Sequence, residues 1–502
     1  MIRRVTLRHA LAWLLALALS NLALAANGPH YASQGMVVSQ NALASEAGVQ
    51  ALRDGGNAID AAVATAFALA VTHPTAGNIG GGGFLIHRAA DGQALTYDFR
   101  EKAPAAAHPD MWLDAEGNYD YEKHHSSHLA VGVPGTVAGL YAAWEDAGTL
   151  PWARLLAPAI ALARDGFTVT HGLANSLNTT GMRRFEPYPA SVAQFTNQGA
   201  PFVAGDTLVQ SDLAATLERI AKDGPKGFYE GKTADLLVAE MAANGGIITH
   251  DDLKAYEAVR RAPILGTYRG HEIIGMPPPS SGGVTMVQML NVLEGYDLKA
   301  SGFGSARTLH LMTETMRRGY ANRARYLGDP DFNPEMPLPM LLSKAYADTL
   351  RNSIDEGKAS VSDPASFEWG YESPETTHFS VVDGERNAVS VTYTLEYSYG
   401  SGIVVPGAGF LLNNEMGDFN GKPGLTDERG LIGTAPNVAE PGKRMLSSMS
   451  PTIVAKDGAL FMVTGSPGGR TIINTTLQTI LNVVDHGMNA QAAVDAGRIH
   501  HQ

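Results

Sequence analysis

The chain has 502 residues, of which 44% are hydrophobic and 17% charged, and it carries a formal net charge of -13 without any cysteine. This composition predicts a globular protein with a large core, because disordered chains, collagens and coiled coils each need a bias that is absent here. The acidic balance argues against nucleic acid or an anionic membrane surface as a partner. The lack of cysteine excludes disulfides, metal thiolates and a cysteine nucleophile.

The first 25 residues have the pattern of a secretory signal peptide. Three arginines precede an apolar run over residues 10–19, and an Ala-Leu-Ala sequence at 23–25 fits a cleavage site. The run is too short for a helix that spans a bilayer. We therefore expect residues 1–25 to be removed and the protein to be exported to a bacterial periplasm, with full secretion as the alternative.

Two helices are predicted within residues 39–73, because apolar residues recur there at helical spacing. The first helix should end at Gly55, where glycine can adopt the left-handed cap conformation, and the second before Pro74. The run from Gly80 to Gly83 follows. Neither a P-loop lysine nor dinucleotide-binding spacing accompanies this run, so we expect close backbone packing there instead of a phosphate site.

Strands are predicted for much of the C-terminal part, after a polar connector. Residues 353–375 are acidic and lack a periodic pattern, which is typical of a solvated connector. Beyond it, residues 378–382 and 388–394 alternate on either side of the turn Asp383-Gly384, which predicts a β-hairpin. Further strands are predicted over 84–87, 95–99, 409–412, 450–455 and 459–464, and a helix over 471–486.

Metal sites and serine-hydrolase sites have little support in the sequence. His124, His125 and His128 lie close together in a polar stretch, where adjacent histidines are usually solvated, and no metal-ligand spacing such as HExxH occurs. The sequence GSPGG at 465–469 does not match the GxSxG nucleophile elbow. We therefore expect chemistry that uses neither a metal ion nor a serine elbow.

A threonine stands where the connector meets the hairpin. If the bond between Glu375 and Thr376 is cut, the freed α-amine has a reference pKa of ~7.7–8.0 and can accept the hydroxyl proton near neutral pH. The nucleophile and its base would then belong to one residue. A flexible connector before a rigid strand suits such self-cleavage, although threonine at the start of a strand is common in itself.

Several long motifs resemble those of the γ-glutamyltransferases, from about residue 35 to the end of the chain. This family belongs to the N-terminal-nucleophile hydrolases. The motifs are DGGNAIDAAVA at 54–64, THPTAGNIGGGGF at 72–84, DFREKAP at 98–104, PPPSSGG at 277–283, TTHFSVVD at 376–383, VTYTLE at 391–396, GSGIVVPGAGFLLNNEMGDF at 400–419, LSSMSPTI at 446–453 and GSPGG at 465–469.

The resemblance implies an α+β fold with two stacked sheets between two helical layers, an αββα sandwich. It also implies a precursor that cuts itself into a large subunit, residues 26–375, and a small subunit, residues 376–502, which stay together as a heterodimer. No cofactor is implied. Relatives continue for several tens of residues past the position of Gln502 and add strands there, so we expect this sequence to be truncated.

The family's functional residues have counterparts at matching positions. Thr376 matches the nucleophile, and Arg100 matches a clamp for the substrate α-carboxylate, a role that suits its two parallel donors. Asp418 matches the acceptor for the substrate α-ammonium. The other matches are Thr394 beside the nucleophile, Gly468 and Gly469 as oxyanion-hole donors, Ser447 and Ser448 at the α-carboxylate, and Glu396 and Glu415 around the ammonium.

Two positions depart from the pattern of many relatives. Position 396 is Glu where many members have Asn, and position 429, in a loop that covers the pocket, is Arg where several bacterial members have Tyr. These two residues have opposite charge. Two interpretations stay open: an ion pair between Glu396 and Arg429 that latches the lid, or a solvated arginine on a mobile loop.

The sequence therefore predicts a periplasmic γ-glutamyltransferase and glutathione hydrolase, with amino acids or peptides as acceptors. A first alternative is an acylase for glutaryl β-lactam side chains on the same scaffold. It is disfavoured because a glutaryl group has no ammonium, so that Glu396 and Asp418 would face it unpaired. A second alternative, a catalytically dead binding protein for γ-glutamyl peptides, would have lost its nucleophile, whereas Thr376 and Thr377 are both present.

Overall fold

The computed structural model describes residues 28–362, 376–424 and 434–502. The predicted signal peptide, Glu375 and Arg429 lie outside the described residues, as does the connector from residue 363 onwards. The strands are β1 (Met36–Val38), β2 (Gly82–Arg88), β3 (Ala94–Phe99), β4 (Phe167–Thr168), β5 (Thr207–Leu208), β6 (Val259–Arg261), β7 (Ile264–Tyr268), β8 (His271–Gly275), β9 (Thr377–Val382), β10 (Ala388–Thr394), β11 (Thr452–Lys456) and β12 (Ala459–Thr464).

The α-helices fill the chain between these strands. They are α1 (Ala42–Arg53), α2 (Ala58–Thr72), α3 (Tyr121–His125), α4 (Thr136–Ala147), α5 (Trp152–Asp165), α6 (His171–Ser176), α7 (Met182–Phe185), α8 (Pro189–Gln194), α9 (Ser211–Asp223), α10 (Lys226–Tyr229), α11 (Gly231–Ala243), α12 (His250–Lys254), α13 (Gly282–Leu293), α14 (Leu298–Ser301), α15 (Ala306–Tyr326), α16 (Leu338–Leu341), α17 (Lys344–Asn352), α18 (Thr471–Val484) and α19 (Ala490–Asp495).

The two predicted N-terminal helices, α1 and α2, are confirmed. Asn41 and Asn57 cap them by accepting backbone N–H bonds of the first turn, and Asn57 forms a reciprocal capping box with Asp60. Gly55 has φ +88° just past α1, the left-handed conformation that a helix C-terminus needs. Every residue of α2 is buried, so this helix lies in the centre of the core.

Two antiparallel sheets form the middle of the molecule. The larger one has the order β1-β9-β10-β2-β3-β6, and the smaller one has the order β12-β11-β8-β7. The predicted hairpin is β9–β10, in which Phe379 pairs with Val391 and Thr377 pairs with Tyr393. A short third sheet pairs β4 with β5. Each of these two sheets therefore contains strands from both sides of the predicted cleavage position.

Helices cover both outer faces, which gives the predicted αββα layers. Phe379, Val391 and Tyr393 of the hairpin pack into the core formed with α2, α4 and α5. On the other side, α13 packs on β7 and β8 of the smaller sheet, and α15 and α18 pack against α13. A separate cluster that includes Phe84 and Ile453 fills the space between the sheets. The outward and inward residues alternate because successive side chains of a strand point to opposite faces.

The glycine run that leads into β2 packs against neighbouring backbone, as the sequence predicts. A Cβ on Gly80 would lie 2.1 Å from the carbonyl oxygen of Leu411, and one on Gly83 would lie 2.4 Å from Cβ of Tyr393. Contacts under 3.0 Å do not occur between real side chains, so only glycine fits at these positions. This run lets β2 lie directly beside β10.

The strand predicted over 409–412 is wrong. Leu411 makes a single isolated bridge to Val404. Gly407 and Gly409 adopt φ values of +72° and +74°, and left-handed residues at that spacing interrupt a regular ladder. The strands predicted over 84–87, 95–99, 450–455 and 459–464 and the helix over 471–486 are confirmed as β2, β3, β11, β12 and α18, with ends shifted by at most two residues.

Among the described residues, no helix combines the length and the apolar character that crossing a membrane requires.

Candidate active site

Thr376 lies at the head of β9, opposite the end of β10. The hairpin register pairs Thr377 with Tyr393, so the next pair outwards is Thr376 with Thr394. The hydroxyl of Thr376 donates to Oγ1 of Thr394 over 3.4 Å. Because Tyr393 points into the helical core, its neighbour Thr394 points to the opposite face, towards the smaller sheet. Strand pairing alone therefore brings the two threonines together.

The backbone around Thr394 is held by two polar contacts. Its carbonyl accepts a hydrogen bond of 2.8 Å from Nδ2 of Asn78, in the turn that precedes the glycine run. Its hydroxyl accepts a hydrogen bond of 3.0 Å from the backbone N–H of Glu396. Glu396 itself has φ +77°, a conformation that non-glycine residues rarely adopt. This strained turn directs the Glu396 carboxylate back towards the same cleft.

The predicted solvated histidines are in fact buried, and this prediction is corrected. The ring of His124 contacts the Met416 carbonyl at 2.9 Å, and His128 contacts Glu240 at 2.9 Å. Nδ1 of His125 lies 3.6 Å from Oε1 of Glu396. These contacts replace contacts with water, because α3 packs on the segment around Met416. Sequence periodicity does not predict this packing. Within the described residues, no group of three side chains is arranged to hold a metal ion.

His125 is also part of an aromatic stack at the edge of the cleft. Its ring stacks on those of Tyr121 and Tyr397, with centroid distances of 4.4 Å and 5.5 Å. The hydroxyls of the two tyrosines are 2.6 Å apart. The guanidinium of Arg184 lies 4.5 Å from the centre of the Tyr397 ring. This stack forms a rigid wall behind the Glu396 carboxylate.

Arg100 follows β3 directly and is almost completely buried. Its Nη2 donates to Asp418, and its Nη1 contacts Glu415. Both carboxylates belong to the short 3₁₀-helix Glu415–Asp418. The guanidinium also donates to the carbonyls of Met445, at 3.3 Å, and Leu446, at 3.4 Å. These contacts fix the plane of the guanidinium, which a single ammonium group could not achieve.

The segment with Ser447 and Ser448 is positioned by the predicted PPPSSGG motif. Ser280 forms a parallel bridge with Ser447, and the hydroxyl of Ser281 donates to the Ser447 carbonyl over 2.6 Å. Arg323 of α15 links the two segments. Its Nε donates to the Ser281 hydroxyl over 2.8 Å, and its Nη2 donates to the Ser448 hydroxyl over 2.9 Å. The PPPSSGG motif therefore acts as a support for the serine pair.

Gly468 and Gly469 lie just before α18. Gly468 has φ +128°, and a Cβ there would lie 2.4 Å from the hydroxyl oxygen of Thr471, so that only glycine fits. The carbonyls of both glycines accept backbone bonds from the first turn of the helix, from Thr471 and Ile472. The positive end of the helix dipole thus lies beside the cleft, where it favours a developing negative charge.

Burial and the shared arginine determine the protonation of the acidic groups. Burial alone would lower the pKa of Arg100, but Glu415, Asp418 and Glu101 outweigh it and raise this pKa. Burial raises the pKa of Glu101 to about 8 and that of Glu415 well above its ordinary value, although Arg100 opposes both shifts. The arginine stays charged, while its two glutamate neighbours resist ionisation.

His378 is the imidazole nearest in sequence to Thr376, and its surroundings do not suit a general base. Burial lowers its pKa to about 3, so the ring is neutral. Its ring nitrogens lie 2.9 Å from the hydroxyl of Thr392 and 3.0 Å from the hydroxyl of Ser380. Both nitrogens are therefore already engaged along the hairpin.

The structure brings most of the predicted site residues into one cleft of about 290 Å³. Gly468 lies next to this cleft, while Arg429 and Glu375 are outside the described residues. The cleft is lined by Arg100, Thr376, Thr394, Glu396, Glu415, Asp418, Ser447, Ser448, Met449, Gly469 and Ile472. Their assembly in one place from six separate segments is not a property of any one motif.

Sequence reasoning missed several supporting residues. Glu101 lies fully buried with Oε2 3.6 Å from Nη1 of Arg100, although the DFREKAP motif contains it. Asn78 and Arg323 hold Thr394 and Ser448, and His125 faces Glu396. For Asn78 and Glu101 the available signal was membership of a recognised motif. For Arg323 and His125 the sequence offered no signal, because their partners are distant along the chain.

Stacked antiparallel sheets between helical layers, with a threonine at the head of an inner strand, are the architecture of the N-terminal-nucleophile hydrolases. A family model described as gamma-glutamyltranspeptidase matches residues 44–502. The chain belongs to this family, and it is an enzyme of the hydrolase and transferase type.

Individual relatives agree with this assignment. The chain is 51% identical to a glutathione hydrolase proenzyme of Escherichia coli strain K12, over 94% of this chain and 82% of that protein. It is 43% identical to the Acylase ACY 1 proenzyme of Pseudomonas sp. strain V22, over 94% of this chain and 83% of that protein. The crystal structure of a cephalosporin acylase from Bacillus halodurans superimposes with a TM-score of 0.82 at 28% identity, covering 94% and 84% of the two chains.

Proposed function

We propose that this protein transfers the γ-glutamyl group of glutathione and related compounds to water or to amino-acid and peptide acceptors. The observation that carries the proposal is the cleft itself. It places a threonine hydroxyl, a buried arginine, a serine pair and several carboxylates within one volume of about 290 Å³. The polar and charged lining suits the glutamyl end of a substrate.

The proposed mechanism begins with autocatalytic cleavage between Glu375 and Thr376. The new α-amine of Thr376 then accepts the proton of its own hydroxyl, because a reference pKa of ~7.7–8.0 lets it act near neutral pH. The hydroxyl oxygen attacks the γ-amide carbonyl. Thr394 holds the hydroxyl in place, and the amides of Gly468 and Gly469 stabilise the oxyanion.

Collapse of this intermediate gives a γ-glutamyl ester on Thr376 and expels the amine, which takes the proton held by the α-amine. Water or an acceptor amine then attacks the ester carbonyl and transfers a proton to the same α-amine. The threonine hydroxyl leaves and is restored. Both half-reactions use one nucleophile, one base and one oxyanion hole, as two consecutive acyl transfers require.

Substrate recognition follows from the charges that line the cleft. An α-amino-acid end carries a carboxylate and an ammonium, and the cleft is lined both by Arg100, Ser447 and Ser448 and by the carboxylates of Asp418 and Glu396. We assign the first group to the substrate carboxylate, since guanidinium binds a carboxylate through two parallel bonds. The second group is assigned to the ammonium.

The same proposal covers maturation and location. We infer a large subunit, residues 26–375, and a small subunit, residues 376–502, that stay associated as a heterodimer. This is supported by the larger sheet, which interleaves β9 and β10 with β1 and β2 from the other side of the cleavage position. The signal-peptide pattern in residues 1–25 supports export to the periplasm.

The test is a denaturing gel and an activity assay on the parent and on Thr376→Ala. The parent should give two bands, the smaller beginning at Thr376, and should hydrolyse a γ-glutamyl anilide. Thr376→Ala should remain a single inactive chain, because cleavage and catalysis use the same hydroxyl. Thr377→Ala is the matched control and should still be cleaved. Normal two-chain processing of Thr376→Ala would overturn the proposal.

A glutaryl β-lactam acylase is the second candidate, favoured by the resemblance to Acylase ACY 1 and to the cephalosporin acylase. Asp418 contacts Arg100, and Glu396 has His125 within 3.6 Å, so these two carboxylates have partners even opposite a glutaryl group. Parallel assays with a γ-glutamyl anilide and a glutaryl anilide separate the two activities. Faster hydrolysis of the glutaryl compound would establish the acylase.

A further inference from the structure

Arg323 of α15 is buried beside the serine pair and does not itself line the cleft. Its Nε donates to the Ser281 hydroxyl over 2.8 Å, and its Nη2 donates to the Ser448 hydroxyl over 2.9 Å. These two N–H groups form one edge of a planar guanidinium, so they hold the two serine oxygens side by side. The ammonium group of a lysine lacks this fixed fork.

The contact with Arg323 determines how the Ser448 hydroxyl can be used. A guanidinium has donors and no acceptor, so Oγ of Ser448 accepts this bond and keeps its own proton for another group. Ser447 is arranged in the same way, because its Oγ accepts the backbone N–H of Met449 at 3.2 Å. Within the part of the chain that the structure describes, neither hydroxyl proton has a protein acceptor in hydrogen-bond contact.

The cleft is where an acceptor for these two protons can bind. Ser447 and Ser448 are 2% and 5% exposed, and both line the cleft. A buried donor without a partner is unfavourable, so a ligand that accepts both protons is favoured. A carboxylate has two acceptor oxygens, whereas an ammonium has only donors. The serine pair therefore suits an anionic group of the substrate.

The same guanidinium also supports the backbone of the pair. Ser281 accepts from Arg323 and donates its own proton to the Ser447 carbonyl over 2.6 Å. The backbone N–H of Ser281 donates to that carbonyl over 2.7 Å. Arg323 thus fixes Ser447 through Ser281 and contacts Ser448 directly.

We propose that Arg323 is a positioning residue, which directs the Ser448 O–H at the carboxylate of the bound acyl group and so selects donors that carry this anion. Its positive charge polarises the O–H and strengthens the bond to a carboxylate. Arg100 lines the same cleft, but Glu415 and Asp418 contact it and compensate part of its charge. The inference rests on the proposed function, because it places the carboxylate of an acyl donor at the serine pair.

The test compares a γ-glutamyl anilide with its α-carboxamide analogue, in which a neutral amide replaces the carboxylate. The ratio of kcat/KM for the acid to kcat/KM for the amide measures the selectivity for the anion, and the parent should prefer the acid. Arg323→Gln should lower this selectivity by about 10-fold or more, because it weakens a bond to a charged group. The change should lie mainly in KM for the acid.

A second variant keeps the test valid if Arg323→Gln does not fold. Arg323→Lys retains the charge but not the two parallel donors, so it should also lower the selectivity. Parental selectivity in the folded variant would overturn the inference.

A double-mutant cycle shows whether Arg323 acts through Ser448. In a Ser448→Ala background, Arg323→Gln should change the selectivity by less than about 2-fold. An equal loss in both backgrounds would overturn the inference. Arg318→Gln is the matched control, because Arg318 lies on the same helix, contacts Glu314 at 2.7 Å and does not line the cleft. It should keep the parental selectivity, and a loss as large as that in Arg323→Gln would also overturn the inference.

The outcome can be separated from that of the proposed function. If the parent hydrolyses the γ-glutamyl anilide and the Arg323 variants keep its selectivity, the inference alone is wrong. If the parent hydrolyses only a glutaryl anilide, the proposed function is wrong. The same variants are then compared on the glutaryl anilide and its terminal carboxamide, because both acyl groups end in a carboxylate. If the parent hydrolyses neither anilide, the proposed function and the inference are both overturned.

Discussion

Replacing Arg100 by lysine should weaken substrate capture more than turnover. Arg100 contacts Glu415 through Nη1, Asp418 and the Leu446 carbonyl through Nη2, and the Met445 carbonyl through Nε. The single ammonium of lysine keeps the charge but cannot hold two parallel bonds to a carboxylate. The loss of one hydrogen bond to a charged group costs about 1.5–3 kcal/mol. This corresponds to a decrease of about 10- to 150-fold in kcat/KM.

Most of this decrease should come from KM, since the α-carboxylate is bound equally in the ground state and the transition state. Steady-state kinetics on a γ-glutamyl anilide measures the two parameters separately. Arg444→Lys is the matched control, because Arg444 is a buried arginine that contacts Asp98 at 3.5 Å and does not line the cleft. It should lower the melting temperature and leave KM unchanged. A parental KM in Arg100→Lys would refute the assignment of Arg100 as the carboxylate clamp.

Four further predictions address the nucleophile, the oxyanion hole, the lid and the buried acid. Thr394→Val keeps the shape but removes the hydroxyl that accepts from the Thr376 hydroxyl and from the Glu396 N–H. The value of kcat should fall about 5- to 150-fold, which corresponds to about 1–3 kcal/mol for an unmade buried bond, and a parental kcat would contradict its role. Gly468→Ala would place Cβ 2.4 Å from Oγ1 of Thr471; kcat should fall by about 100-fold or more with a smaller change in KM, and a change in KM alone would count against an oxyanion hole there. A double-mutant cycle on kcat/KM with Glu396→Gln and Arg429→Gln should show coupling above about 0.5 kcal/mol if the two residues latch the lid, whereas additive effects would exclude the latch. Burial raises the pKa of Glu101 from 4.5 to about 8, so its contribution to stability is complete below pH 4.5 and is lost as the pH rises through about 8. The free energy of unfolding of Glu101→Gln should therefore fall less than that of the parent between pH 5 and pH 9. An equal fall in both proteins would contradict this.

Local patterns were sufficient for much of the fold. The helical spacing before Pro74 correctly predicts α1 and α2, and the period-two alternation around Asp383-Gly384 correctly predicts β9–β10. These elements obey rules that act over a few residues, namely capping, side-chain alternation and turn chemistry. The layer order and the site residues came from the resemblance to a family and not from periodicity.

The errors of sequence reasoning occur where tertiary contacts override a local rule. Residues 409–412 have the composition of a strand, but Gly409 packs against the N-terminus of α9, where its Cβ would lie 2.4 Å from the Leu213 nitrogen. The histidines of α3 have the polar neighbours of a solvated loop, yet His124 and His125 are buried against Trp112 and Tyr397. In both cases the deciding partner is far away along the chain.

The sequence by itself determined which chemical groups are available and how Thr376 meets Thr394, because the register of a hairpin follows from its alternation and its turn. Only the tertiary structure decided the charge state of the cleft. Arg100 and Asp418 meet across 318 residues of sequence, and Ser281 meets Ser447 across 166. Glu101 is an ordinary acidic residue in the sequence. It becomes a carboxyl that holds a proton near neutral pH because packing removes its solvent and makes it share one guanidinium with two other acids.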